Sequence, residues 1–307
     1  MAKSILEAPH FRDPEAARKY LERQVWPDKP ICPHCGVIGD HYKLEGKSTR
    51  PGLYKCADCR EPFTVTVGTV FERSKIPLNK WLLAVYLLCS SKKGMSSHQL
   101  HRTLGVTYKT AWFMTHRIRE AMKTEHKGQL GSGGGAVEAD ETFWGNNKPR
   151  GKKTKGRGYE HKMKVLSLVE RGGQVRSFKI PTVTAATLKP ILIQQIAKEA
   201  TLNTDEHSGY IKPGREFAKH DVVRHSEKEY SRGAATTNTV EGYFSILKRG
   251  LIGTYHHVGE QHLMRYVGEF DFRYNNRKVE DAERADNALK GITGKRLTYR
   301  RSCEASV

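Results

Sequence analysis

Three observations predict a multidomain chain that passes from small metal-held and helical modules to a mixed α/β domain. Two Cys-x-x-Cys pairs, Cys32/Cys35 and Cys56/Cys59, stand near the N-terminus. A helix, a glycine turn and a second helix follow over residues 77–120. Behind a glycine run at 131–135, the apolar pattern changes to the two-residue period of strands. The expected organisation is a helical segment at 1–28, a zinc ribbon at 29–75, a helix-turn-helix at 76–130, a linker at 131–135, an α/β domain at 136–280 and a basic tail at 281–307.

Charge narrows the partners. Lys and Arg number 53 against 33 Asp and Glu, a net charge of +20 over 307 residues. Such an excess favours a polyanion, and nucleic acid is the first candidate. A membrane is the rival, but the longest apolar run, residues 81–89, is too short to span a bilayer. No signal peptide is recognisable, so the expected location is the cytoplasm, on the nucleoid.

The N-terminal segment has Asp13 as a helix cap with Pro14 at the first helical position. The two cysteine pairs flank short strand patterns around residues 42–44 and 53–55, with a further strand at 63–67. Tetrahedral zinc takes four thiolates, and two turn-borne pairs supply them from opposite sides. Cys32, Cys35, Cys56 and Cys59 are therefore expected to hold a structural zinc, with no open position for chemistry. His34 reads as a solvent-facing residue of its turn, Cys89 as a buried core thiol and Cys303 as part of a polar tail.

Residues 78–81 begin an apolar helix that residues 92–94 end. Ser96 caps a short helix, Gly105 makes the turn, and a longer helix runs from Tyr108 to Met122. That arrangement suits a helix-turn-helix, in which Tyr108, Lys109 and Thr110 would meet base edges or phosphates. The competing reading is an ordinary helical hairpin.

After the glycine run, 137–143, 165–169 and 175–180 read as strands. A helix capped by Thr184 follows, with Leu188, Ile191, Leu192 and Ile196 on its apolar side, and then a strand at 201–205. Three antiparallel strands, a helix and a strand are the order of the ribonuclease H fold. The basic, Gly-rich segment 148–162 reads either as a solvated hairpin tip or as a phosphate-contacting loop.

Residues 238–250 form an amphipathic helix. Val240, Phe244, Leu247 and Leu251 share its apolar face, while Asn238, Glu241, Ser245 and Lys248 lie on the adjoining one. Acids on strands in a strongly basic chain suggest a site for hard divalent cations. Asp140 and Asp205 on strands, with Glu241 on this helix, suit two magnesium ions about 3.5–4 Å apart, the arrangement of phosphoryl transfer on a phosphodiester.

On these residues the chain resembles the DDE-type transposases of bacterial insertion sequences, in particular the ISXO-like group. The resemblance rests on Asp140 within Val137-Glu138-Ala139-Asp140-Glu141-Thr142, on Asp205 ahead of His207-Ser208-Gly209-Tyr210, and on the run from Asn238-Thr239-Val240-Glu241 to Lys248-Arg249-Gly250. It continues through Gly253-Thr254-Tyr255-His256-His257 and Glu269-Phe270-Asp271-Phe272, and the zinc ribbon matches the family's N-terminal half. Gly259-Glu260 stands where a Ser-containing turn would be expected. The resemblance implies a ribonuclease H-like catalytic domain that cleaves DNA and transfers strands with Mg2+ or Mn2+. Asp140, Asp205 and Glu241 would bind the catalytic metals, Asn238 would assist them, and Lys248 and Arg249 would contact DNA. The partners implied are the terminal inverted repeats, target DNA and further copies of the chain. Two other readings stay open: a nuclease of the same fold that stops at hydrolysis, and a non-catalytic DNA-binding regulator.

Overall fold

The computed structural model describes residues 4–26, 28–145, 161–227 and 231–299, and divides into two units. One comprises residues 1–124 and 278–307, the other residues 125–277. The basic segment up to residue 160, Cys303 and the end of the expected tail lie outside the described residues.

The first unit begins with α1 (Pro9–Arg12) and α2 (Pro14–Val25). Asp13 caps α2 by accepting from the Ala16 N–H at 2.6 Å, and Pro14 takes the first position, where a missing N–H breaks no helical bond. β1 (Tyr42–Leu44), β2 (Leu53–Lys55) and β3 (Pro62–Phe63) form an antiparallel sheet. The third strand is shorter than the run 63–67 suggested. The Val67 N–H turns back to Thr64 O, and the Thr64 and Thr66 hydroxyls bond each other, which draws the chain out of the ladder. α3 (Leu78–Ser90) buries Trp81, Leu82, Val85, Leu88 and Cys89. α4 (Ser97–Leu104), capped by Ser96, meets α5 (Tyr108–Met122), capped by Thr107, across Gly105 at φ 59°. Glycine adopts that left-handed conformation without the clash a Cβ would bring.

The second unit is built on β4 (Ala136–Trp144), β5 (Met163–Glu170) and β6 (Val175–Ile180), followed by α6 (Ala185–Gln195) and β7 (Thr201–Asp205). A short α7 (Ile211–Gly214) leads to β8 (Lys219–Val223), then come the small hairpin β9 (Ser231–Arg232) and β10 (Ala235–Thr236). α8 (Asn238–Gly250) and α9 (Leu263–Asn275) complete it. The main sheet has the order β6-β5-β4-β7-β8, with β5 antiparallel to both β4 and β6, and β7 and β8 parallel to β4. This is the ribonuclease H-like topology.

Strand alternation gives the sheet two buried faces. Val137, Ala139, Leu166, Leu168 and Leu202 pack with Leu188 and Leu192 of α6. Val165, Val169 and Val175 pack with Val240, Phe244 and Leu247 of α8 and with Leu263, Val267 and Phe270 of α9. Glu138 and Asp140 share parity with Thr142, whose register partner is Val165, and so belong to the α8 face.

Two expectations about organisation are corrected. The glycine run is not a linker, since the units part at 124/125. Leu130 bridges to Ile196, the Gly131 N–H donates to Glu170 Oε1 at 2.9 Å, and a Cβ on Gly131 would stand 2.6 Å from that of Ala200. Glycine is there because the turn is tightly packed at positive φ, not because it is loose. Nor is residue 281 onward simply a tail. α10 (Asp281–Lys290) packs on α3, α2 and α5 in the first unit, burying Ala285, Ala288 and Leu289. Tyr20 donates to Asp286, and the Val70 N–H to Ile292 O. Its buried face is made mostly of alanines, so mean hydropathy concealed it.

Candidate metal centre and active site

Among the described residues, two groups of side chains gather closely enough to hold a metal ion. Cys32, Cys35, Cys56 and Cys59 bring their sulfurs within 4.8 Å of one another. Cys32 and Cys59 Sγ are 3.7 Å apart, Cys35 and Cys56 Sγ 3.6 Å. Zn–S bonds of about 2.3 Å in a tetrahedron put sulfurs about 3.8 Å apart, so the donor set and spacing fit zinc. Each pair is presented by a local turn: Gly36 N–H to Cys32 O in the first, Cys56 N–H to Glu61 O in the second. Burial opposes ionisation of the Cys56 thiol, yet the N–H groups of Cys59 and Asp58 outweigh it and bring its pKa down to about 6. His34 is exposed and outside the cluster. His41 is a residue that sequence reasoning missed. Its Nδ1 accepts from the Ala57 N–H at 3.3 Å while Nε2 lies 3.2 Å from Val37 O, tying the two turns together.

The second group is Asp140, Glu141 and Asp205. β4 and β7 run parallel with Ala139 opposite Thr204, so Asp140 and Asp205 come one step later on adjacent strands. Their carboxylate oxygens and one of Glu141 lie within 4.8 Å of one another. Opposite oxygens around octahedral magnesium are about 4.2 Å apart, so this hard-oxygen set fits such an ion. Asp140 Oδ1 accepts the Glu141 N–H at 2.7 Å, Asp205 Oδ1 the His207 N–H at 3.1 Å, and Glu141 Oε2 the hydroxyl of fully buried Tyr210 at 2.7 Å. Burial pushes the Asp140 carboxyl up to about 8, with the charges of Glu141, Asp205 and Glu241 adding to it. Burial also raises Glu141, against the Tyr210 hydrogen bond. In both carboxyl groups the like charge of neighbouring acids adds to the effect of burial.

Glu241 is not in that close group. It sits in the first turn of α8, accepts from Thr237 Oγ1 at 2.9 Å and lies 3.3 Å from His225 Nε2. Its charge still acts on Asp140. Asn238 and Lys248 are exposed on the same helix, and Arg249 is held to Ser245 by bonds of 3.1 and 2.8 Å. In the first unit, Tyr108 stacks on His98 with centroids 4.2 Å apart, Lys109 Nζ lies 4.6 Å over the Tyr299 ring, and Thr110 is engaged by its cap Thr107. Glu141, beside the aspartates, is the acid that sequence reasoning left without a role. Its adjacency to Asp140 was the available signal.

Parts of the chain match known proteins. A model of the ISXO2-like transposase domain matches residues 133–275, and one of the transposase zinc-ribbon domain matches residues 12–61. An uncharacterized protein in transposable element ISH50 of Halobacterium salinarum is 29% identical over 278 residues, 86% of this chain and 91% of that one. Among solved structures, the Mos1 transposase paired-end complex with left transposon end aligns over 94% of this chain and 86% of that chain, at 14% identity and a TM-score of 0.29. No helix among the described residues is long and apolar enough to cross a membrane. Residues 12–61 and 133–275 thus match two parts of one kind of protein, a transposase zinc ribbon followed by an ISXO2-like transposase domain.

Proposed function

We propose that this transposase binds the ends of its insertion sequence and catalyses magnesium-dependent DNA cleavage and strand transfer into target DNA, with manganese able to replace magnesium. The observation that carries the reading is the level pair Asp140 and Asp205 on adjacent parallel strands, inside a domain of the transposase family. In this reading Asp140, Asp205 and Glu241 are the metal-binding acids. Bound divalent ions supply the charge that activates the attacking hydroxyl and steadies the leaving oxygen. Asp140 has to release its proton before it can serve as a ligand. Asn238, one helical turn ahead of Glu241, orients a ligand carboxylate or the scissile phosphate, and Lys248 and Arg249 donate to the DNA backbone. Tyr108, Lys109 and Thr110 approach DNA from the start of α5, and Cys32, Cys35, Cys56 and Cys59 hold a structural zinc. Handling two transposon ends calls for more than one copy on the DNA, and the work belongs to the nucleoid.

The test is incubation of the purified protein with a labelled transposon end, a target plasmid and Mg2+. End sequences joined to the plasmid are the expected result. Cleaved but never joined ends would reduce the activity to hydrolysis. Specific binding without cleavage would make the protein a regulator.

A further inference from the structure

Glu138 lies two residues before Asp140 on the same face of β4, and it is fully buried. A buried carboxylate demands partners, because its desolvation is offset only by full hydrogen bonding. Glu138 has four. Oε2 accepts the N–H groups of Thr239 at 2.7 Å and Val240 at 3.0 Å, while Oε1 accepts Thr239 Oγ1 at 2.9 Å and Arg171 Nε at 2.8 Å. The two N–H groups belong to the first turn of α8, which has no side-chain cap of its own. A carboxylate from a distant strand thus does the work of a cap at the positive end of a thirteen-residue helix. Arg171, just past β5, extends the hold. Its remaining nitrogens donate to Ala234 O at 2.6 Å and Thr236 O at 3.1 Å, on the segment leading into the helix.

We infer that Glu138 and Arg171 are a positioning pair. They bolt the start of α8 to the strand that carries Asp140 and so fix how far Glu241 stands from the aspartates. The inference rests on the reading of Glu241 as a metal-binding acid and deepens it. Glu138 is a positioning residue, not a ligand, since all of its contacts point at the helix and at Arg171. Glu241 directly follows Val240, so any slippage of the first turn is passed on to its carboxylate with little loss. With the helix start fixed, Glu241 leaves Thr237 and His225 by turning its own side chain rather than by movement of the helix.

The experiment is titration of the full-length protein with Mn2+, followed by the loss of the free-ion paramagnetic resonance signal. Four variants enter: Glu138→Gln, Thr239→Val, Glu241→Gln and Val169→Ala. Val169 is the buried register partner of Glu138 and packs in the same core as α8, so its truncation loosens this face of the sheet without removing any hydrogen bond to the helix start. Each variant is compared at the same interval below its own melting temperature. Glu138→Gln should weaken Mn2+ binding about tenfold or more, the usual effect of removing a group that orients a ligand. Thr239→Val removes one bond of the four and should weaken it about threefold; it decides the matter alone if Glu138→Gln does not fold. Val169→Ala should leave binding as it is. Equal binding by wild type and both Glu138→Gln and Thr239→Val, while Glu241→Gln is impaired, would overturn the positioning role and leave the reading of Glu241 intact. Unchanged binding by Glu241→Gln would overturn that reading and the positioning role with it. Equal weakening by Val169→Ala would reduce the pair to ordinary stabilisation.

Discussion

The thiol cluster of the first unit and the carboxylate cluster of the second differ in how their donors are delivered. Each cysteine pair is set by its own short turn, and only one docking event, across β1 and β2, brings the two together. The acids come from a central strand and the end of its parallel neighbour, with Glu241 waiting on a helix. The thiols make a closed set of four, whereas among the carboxylates Asp140 and Glu141 have raised pKa values and Tyr210 donates to Glu141. A structural site is satisfied by its ion. Buried acids gathered this closely are costly to ionise together, and a bound cation offsets that cost.

The largest expected effect breaks the first side of that comparison. Cys56→Ser should abolish zinc binding and unfold the ribbon, because structural zinc sites carry about 10–16 kcal/mol of apparent binding energy. Zinc content measured with hydrogen exchange would show it, with β4 to β8 keeping wild-type protection. Next comes the open side. Glu241→Gln should lower magnesium-dependent cleavage by about a thousandfold or more, the several kcal/mol of a lost metal-site charge, while end binding stays normal. Asn238→Ala should cost less; single-turnover cleavage assays on both variants rank them, and the reverse order would exchange their roles.

A third prediction separates the clusters by pH. The Asp140 carboxyl holds its proton up to about 8 in the folded, metal-free protein, whereas its ordinary value is 3.8. Below 3.8 it is protonated folded or unfolded and contributes nothing. From there to about 8 only the folded form keeps the proton, so stability falls as pH rises and then levels off. Melting of the metal-free protein should therefore drop across this window, and Asp140→Asn should flatten the trend. Mn2+ affinity should run the other way, rising up to about tenfold per pH unit toward 8. The smallest effect concerns DNA. Lys109→Ala should weaken end binding modestly and reduce the slope of affinity against salt by about one, as loss of a single phosphate contact requires. Filter binding at several salt concentrations measures it.

What could be read from sequence follows the same division. The bounds of α8 were legible because its apolar face repeats at helical spacing, and the cysteine pairs because their turns are local. The strand order around β4 was legible from alternation and turn residues. Glu138 was not legible as a helix cap, because its partners lie about a hundred residues away and no local pattern announces them. Glu141 was left without a role because alternation says little about where side chains converge near a strand end. The glycine run resembled a linker because composition does not distinguish flexibility from tight packing, which Ala200 and Val137 impose at Gly131. The alanine-lined face of α10 was too weakly apolar to stand out.

The placement of α10 bears on the order of events during synthesis. The first unit is made of residues 1–124 and 278–307, whereas residues 125–277 of the second unit form one uninterrupted stretch translated between them. The catalytic-type domain is therefore complete as a chain while the unit translated ahead of it still lacks a helix. Until residues 281–290 emerge, the apolar side of α3 has no α10 to cover it, and a message truncated after residue 280 yields a protein whose second unit is whole and whose first is not. Completion of the first unit is thereby tied to residues translated after the whole of the second.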